Sequence, residues 1–228
     1  MPLQLYIGNK NYSSWSLRPW LLMRTVGIDF DEVALRLDWN AASDFKTTLA
    51  RLAPTGRVPL LIDDGFAVWD TLAIVEYVHE RFPDRGVWPA ATQARARARS
   101  LCAEMHGGFG ALREHWPMNI EAALPEVGAR LLRELPAVAA DLRRIETMWA
   151  EQLAQFGGPF LFGGFCAADA FFAPVCARLQ TYAPALRPET RGYVERIFAL
   201  PAMQTWCEAA RAEHDFIVED EPYRTQRP

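Results

Sequence analysis

The chain has 228 residues, half of them hydrophobic, and carries 24 Lys and Arg against 28 Asp and Glu, a formal net charge of -4. That length allows two small domains or one large one, and the composition excludes a disordered chain. Mild acidity gives no general attraction to nucleic acid or anionic lipid, no apolar run reaches the ~18 residues of a membrane span, and Met1–Leu5 lacks the basic and apolar regions of a signal peptide. The expectation is a cytoplasmic protein with neither nucleic acid nor membrane as a partner.

Leu3 to Ile7 alternates apolar positions before Gly8-Asn9 and reads as a strand. Ser16 then precedes a helix over Leu17–Val26, with Pro19 in its first turn and Gly27 just past its end. Phe30 to Leu37 reads as a second strand, and Ser43 to Ala53 as a weaker helix closed by Pro54. Val58 to Ile62 reads as a third strand, Asp64-Gly65 as a hairpin turn, and Phe66 to Trp69 as its antiparallel return. Asp70-Thr71 caps a helix over Leu72–Phe82. The order is β-α-β-α-β-β-α.

Residues 83–93, with Pro83, Gly86 and Pro89, read as a linker. Beyond it only helices are expected: Ala94 to Trp116, Glu126 to Phe156 with an interruption at Pro136, Cys166 to Ala183, Pro188 to Leu200, and Pro201 to His214. The charged tail after Phe216 reads as peripheral. The expected fold is thus an α/β thioredoxin-like domain over residues 1–82 and an all-α domain over residues 94–228. Cys102, Cys166, Cys176 and Cys207 form neither C-x-x-C nor a zinc spacing, so buried reduced thiols and no metal are expected.

Four segments carry candidate chemistry. Ser13-Ser14-Trp15-Ser16 sits at a helix start. One cap needs one serine, and here there are three. A helix N-terminus with a hydroxyl donor lowers a thiol pKa, and a shift of ~2 units is worth roughly 2.7 kcal/mol. Gly56-Arg57-Val58-Pro59 reads either as an edge-strand proline or as a cis bond that turns the Val58 backbone toward a peptide-like ligand. Asp70-Thr71 reads either as a cap alone or as a site for an amino-acid head group, its ammonium on the carboxylate and its carboxylate on the helix start. Cys166 and Asp169 have capping-box spacing, a structural feature.

Together these segments resemble the cytosolic glutathione transferase family, from Leu3 to about His214. Gly56-Arg57-Val58-Pro59-Leu60-Leu61 followed by Asp70-Thr71 and Ile74-Val75-Glu76-Tyr77 carries the resemblance, and Ser13-Ser14-Trp15-Ser16-Leu17-Arg18 is similar to the S-S-C-S-W-R motif of the zeta class. The resemblance implies a homodimer with glutathione as cosubstrate. It places the catalytic hydroxyl at Ser13, with Ser14 second. Val58 and Pro59 would hold the cysteinyl backbone, Asp70 and Thr71 the γ-glutamyl end, and Lys46 is a candidate for the glycyl end. Trp15 stands where that motif has cysteine, so thiol exchange is disfavoured. His106, Phe109, Arg113 and Arg178 are candidates for a second-substrate pocket.

The implied activity is transfer of glutathione to a small hydrophobic or acidic electrophile. The alternatives are cis-trans isomerisation of the maleylacetoacetate or maleylpyruvate type, and a non-enzymatic binding protein. The arginine that holds the acid in zeta isomerases falls at Thr181 here, and the nearest basic residue is Arg178.

Overall fold

Alternating burial of Leu3, Leu5 and Ile7 makes Leu3–Ile7 the central strand β1, apolar toward the main core. The structure is a computed structural model and describes residues 2–226. β1 pairs in parallel with β2 (Phe30–Ala34) and antiparallel with β3 (Leu60–Asp63), which pairs antiparallel with β4 (Phe66–Trp69). The sheet order is β2-β1-β3-β4. Helices α1 (Ser14–Thr25), α2 (Asp44–Leu52) and α3 (Thr71–Arg81) fill the connections in the expected order.

Two cores result. Leu17, Leu21, Ile74 and Val78 pack from α1 and α3 on one sheet face, and this cluster runs on into the helices beyond the linker. On the other face Phe45 and Leu49 of α2 join Tyr12, Leu37, Leu60 and Ile217. The seven helices that follow are α4 (Thr92–Gly107), α5 (Gly110–His115), α6 (Pro125–Glu134), α7 (Pro136–Phe156), α8 (Ala167–Tyr182), α9 (Pro188–Ala199) and α10 (Pro201–Ala212). α8 is buried almost throughout and packs along α1, so the core passes from the sheet unit into the bundle without a polar seam.

Several expectations change. α1 begins at Ser14, so Ser16 lies inside the helix and is no cap. β2 stops at Ala34 because the Leu37 N–H donates to Asn9 Oδ1 at 2.8 Å rather than continuing the ladder. β3 begins at Leu60, after a cis Val58–Pro59 bond; Pro59 has no N–H to offer the sheet. The expected Ala94–Trp116 helix breaks between α4 and α5. A Cβ at Gly108 would lie 2.6 Å from the Glu104 carbonyl oxygen, and Phe109 takes a left-handed conformation. The tail after Phe216 is not peripheral: Ile217 and Glu221 are buried against the sheet unit.

All four cysteines are free and buried. The Cys166–Asp169 capping box forms. The fully buried Asp169 carboxylate accepts from the N–H groups of Cys166 (2.9 Å) and Leu161 (3.1 Å) and from the Tyr193 hydroxyl (3.0 Å). Burial raises its pKa to about 6, with these hydrogen bonds opposing the rise. Asp169→Ala would leave three buried donors unpaired. It should lower the stability of the protein by about 3 kcal/mol, measured by denaturant unfolding. A loss within experimental error would contradict this role.

Candidate functional site

The loop from Gly8 to Ser13 joins β1 to α1, and its polar groups are satisfied from distant parts of the chain. The N–H groups of Lys10 (2.6 Å) and Asn11 (3.2 Å) donate to the Glu213 carboxylate, and Trp206 Nε1 donates to the Lys10 carbonyl at 3.0 Å. The Asn11 side chain donates to Asn119 and accepts from the Glu121 N–H. Tyr12 donates its hydroxyl to Glu221 at 2.7 Å, and Asn119 Nδ2 donates to the same carboxylate oxygen at 2.8 Å. Arg224 pairs with Glu221 as well. Burial alone would raise the Glu221 pKa; hydrogen bonds from Arg224, Tyr12 and Asn119 outweigh it and hold the carboxylate below its ordinary range.

This clamp fixes Ser13 at the N-cap position of α1. Its side chain caps nothing. Instead Ser13 Oγ is hydrogen-bonded to Ser16 Oγ at 2.7 Å, and Ser16 Oγ accepts from the Gly8 N–H at 3.1 Å. Gly8 is required here: a Cβ would stand 2.7 Å from Leu37 and 3.2 Å from Ser13 Cβ. Ser16 is fully buried, whereas Ser13 and Ser14 both line a cavity of about 620 Å³. The three serines thus divide: Ser16 backs Ser13, and Ser14 stands beside it.

A smaller cavity of about 240 Å³ adjoins the first, sharing Trp15, Arg57 and Val58 with it. Thr55, Pro59, Trp69, Asp70, Thr71 and His106 complete it. Asp70 adopts a positive φ of 75° and caps α3 by accepting from the Leu72 N–H at 2.8 Å. His106 of α4 reaches across, with Nε2 3.4 Å from Asp70 Oδ2 and Nδ1 3.4 Å from the Thr71 hydroxyl. Burial lowers the His106 pKa; Asp70 opposes the shift and Arg18 and Arg113 add to it. His106 is therefore neutral at neutral pH and does not compete as a cation for Asp70.

The larger cavity is bounded by Leu37, Trp39, Phe45, Pro117 and Met118, with Arg57, Arg113, Glu114, Arg178 and Asp220 as its charged residues. Arg18 lies behind Trp15, its guanidinium 4.1 Å from the ring centre, and Arg113 approaches the same ring at 5.5 Å. Arg178 donates Nε to the Trp116 carbonyl at 2.7 Å, and Arg113 donates Nη1 to the His106 carbonyl at 3.2 Å. Further nitrogens of Arg18, Arg113 and Arg178 are buried without hydrogen-bond partners among the described residues. Burial lowers the Arg18 pKa to about 9, with Arg178 and Arg113 adding to the shift, and lowers that of Arg178 to about 10. A desolvated cationic cluster forms one wall of the cavity.

The expected site residues therefore separate. Ser13, Ser14, Arg113 and Arg178 meet Val58 at the larger cavity; Val58, Pro59, Asp70 and Thr71 meet at the smaller one. His106 belongs to the smaller cavity, not to the pocket of Arg113 and Arg178. Phe109 is buried between α4 and α5 and lines neither cavity. Lys46 also lines neither, but its ammonium lies over the rings of Trp39 (5.0 Å) and Phe45 (5.5 Å), which do. Trp15, Trp39, Arg57, Met118 and Asp220 were not legible as site residues. Trp15 and Arg57 stand inside the serine and Val58–Pro59 segments, and Met118 stands in Pro117-Met118-Asn119, a segment that resembles a bacterial branch of transferases.

A thioredoxin-like sheet unit with a cis X-Pro before β3, followed by a helical bundle that closes over it, defines the glutathione transferase fold. Residues 12–81 match the family described as glutathione S-transferase, N-terminal domain. A glutathione transferase homologue from Burkholderia gl BGR1, solved with bound glutathione, is 26% identical; the match covers 93% of this chain and 99% of that one, with a TM-score of 0.67. Maleylacetoacetate isomerase of Rattus norvegicus is 26% identical over 207 residues, 88% of this chain and 89% of that protein. Dichloromethane dehalogenase of Methylorubrum extorquens is 36% identical over 78 residues, but the match spans only 26% of that protein. Residues 12–81 thus carry the glutathione S-transferase N-terminal domain, and the whole chain is similar in fold to glutathione transferases.

The Glu221 clamp is open to test. Glu221→Ala would leave Tyr12, Asn119 and Arg224 without their acceptor. It should cost about 2 kcal/mol of stability and speed tryptic cleavage within the tail beyond Arg211. Unchanged cleavage of the tail would contradict the clamp.

Proposed function

We propose that this chain is a glutathione S-transferase that ionises the glutathione thiol at Ser13 and adds it to a small electrophile held in the larger cavity. The observation that carries the reading is the alignment of Asp70–Thr71, the cis Val58–Pro59 segment and Ser13 along two adjoining cavities. An extended tripeptide fits that order. Its γ-glutamyl ammonium would pair with Asp70 while its α-carboxylate takes the Thr71 end of α3. Its cysteinyl backbone would lie along Val58, and its sulfur would reach Ser13. Lys46, Trp39 and Arg57 are on the side left for the glycyl carboxylate.

Ser13 is assigned the hydroxyl and Ser14 the neighbouring position. The Gly8 N–H, Ser16 Oγ and Ser13 Oγ form one chain of hydrogen bonds. As placed, Ser13 Oγ donates to Ser16 Oγ; rotation of both hydroxyls reverses that bond, and with Ser16 donating, the Ser13 proton is free to donate to a thiolate. Each link polarises the next and strengthens the last donor. A hydrogen bond made to the charged form stabilises it over the thiol and lowers the thiol pKa. The unused N-terminal end of α1 acts in the same direction.

The wall of Arg113 and Arg178 supports an electrophile with an acidic group, and for that reason we retain isomerisation of an unsaturated keto acid as the second reading. The two differ in outcome: transfer consumes glutathione, isomerisation does not. A non-enzymatic role is disfavoured by the intact hydroxyl chain and the intact Asp70–Thr71 end. Our reading also includes a homodimer, supported by exposed Phe66 and Trp69 on the edge strand β4, and a cytoplasmic setting, in keeping with four unpaired buried cysteines. Among the described residues no helix is long and apolar enough to cross a membrane, and no group of His, Cys, Asp and Glu is arranged to hold a metal ion.

Ser13→Ala should raise the pKa of the bound thiol by about 1–2 units, read from the ultraviolet absorbance of the thiolate across pH. Ser16→Ala should raise it less, because Ser13 keeps its own proton. An unchanged titration in Ser13→Ala would remove Ser13 from the activating role.

A further inference from the structure

The tail returns to the larger cavity and adds a carboxyl, that of Asp220, to its lining. Tyr12 and Glu221 are joined by a 2.7 Å hydrogen bond, and their chain neighbours Ser13 and Asp220 both line the cavity. Asp220 is held in place from both sides. Ile217, three residues before it, is buried against α2, and the Asp220 N–H donates to the Ile217 carbonyl at 2.9 Å. Glu221, the next residue, is tied to Tyr12, Asn119 and Arg224. Yet the Asp220 carboxyl itself makes no ion pair or hydrogen bond among the described residues, and its Oδ2 is buried. A carboxyl placed so firmly and left without a partner calls for an explanation.

We propose that Asp220 is the proton donor to the electrophile, and that the electrophile is an activated alkene, a conjugated ketone or acid, whose addition product must take up a proton. The inference rests on the transferase reading above. In the step, the thiolate sulfur forms a bond to the β-carbon and the alkene electron pair moves onto the α-carbon. The O–H bond of Asp220 breaks and its proton goes to that carbon, completing the thioether. The proton that the thiol lost to solvent on ionising is balanced when Asp220 takes one up for the next turn. No oxidant or further reactant is needed.

The environment suits a carboxyl that is protonated for part of its time. Burial, then the charges of Glu219 and Glu221, raise its pKa to about 6. The other charged groups on the cavity are Arg57, Arg113, Glu114 and Arg178. Glu114 also lines the cavity and is exposed. Arg113 and Arg178 stand on the helical wall, where they suit the negative end of the alkene conjugate, while Asp220 comes from the tail.

Two reactions separate the donor role from everything else in the site. Addition to an aryl enone needs a proton at carbon; displacement of chloride from chlorodinitrobenzene does not. Both need the same thiolate, so the ratio of their rates cancels its ionisation. In the wild-type protein that ratio, enone over haloarene, should fall as pH rises through about 6. In Asp220→Asn it should drop about 100-fold and become independent of pH. Asp220→Glu should restore part of the ratio and its pH dependence.

If Asp220→Asn lowers both reactions equally, or neither, Asp220 is a wall residue and the proposal falls while the transferase reading stands. If the wild-type protein binds glutathione but runs neither reaction, the transferase reading falls and the proposal with it.

Discussion

The structure depends on the polar knot around the loop between β1 and α1. Glu213, Asn119 and Glu221, from the end of α10, the loop after α5 and the tail, all satisfy groups of Lys10, Asn11 and Tyr12. Buried polar groups of this kind are costly unless every one is paired, and here each pairing crosses between sheet unit and bundle. The knot therefore does two things at once. It fixes the start of α1, where Ser13 stands, and it holds the helical region and the tail against the sheet unit.

From that fixed point the site follows by short steps. Ser13 turns from capping to a bond with Ser16, because Ser16 sits one turn on and Gly8 lets the chain pass close. Trp15, next along α1, faces outward into both cavities and is held by Arg18 on one side and the edge of His106 on the other. It occupies the position where a related motif carries a reactive cysteine, and it converts that position into a partition between two binding spaces. The division into two adjoining cavities is thus written in the first turn of α1.

Much of this was legible in the sequence because it is local. Alternation gave β1, Asp64-Gly65 gave the hairpin, Asp70 before an apolar run gave the start of α3, and Pro136 and Cys166–Asp169 marked helix ends. Three classes of feature were hidden for physical reasons. Ser16 looked like a cap because capping and hydroxyl relays use the same residue type. The charged tail looked peripheral because the partners that bury Glu221, Tyr12 and Asn119, lie far from it in sequence, and Ile217 is a single apolar residue without periodic company. His106 and Arg113 recur at helical spacing, but the break at Gly108 and Phe109 sends them to different cavities. Long-range polar pairing of this kind leaves no periodic trace in a sequence.

The central claim is that a bound glutathione thiolate rests on Ser13, backed by Ser16 and Gly8. A crystal structure of the protein with glutathione at neutral pH tests it most directly. The account predicts the sulfur within hydrogen-bond distance of Ser13 Oγ, at about 3.0–3.5 Å, with the γ-glutamyl end between Asp70 and Thr71. A sulfur placed out of reach of Ser13, or a γ-glutamyl end bound away from Asp70, would contradict it.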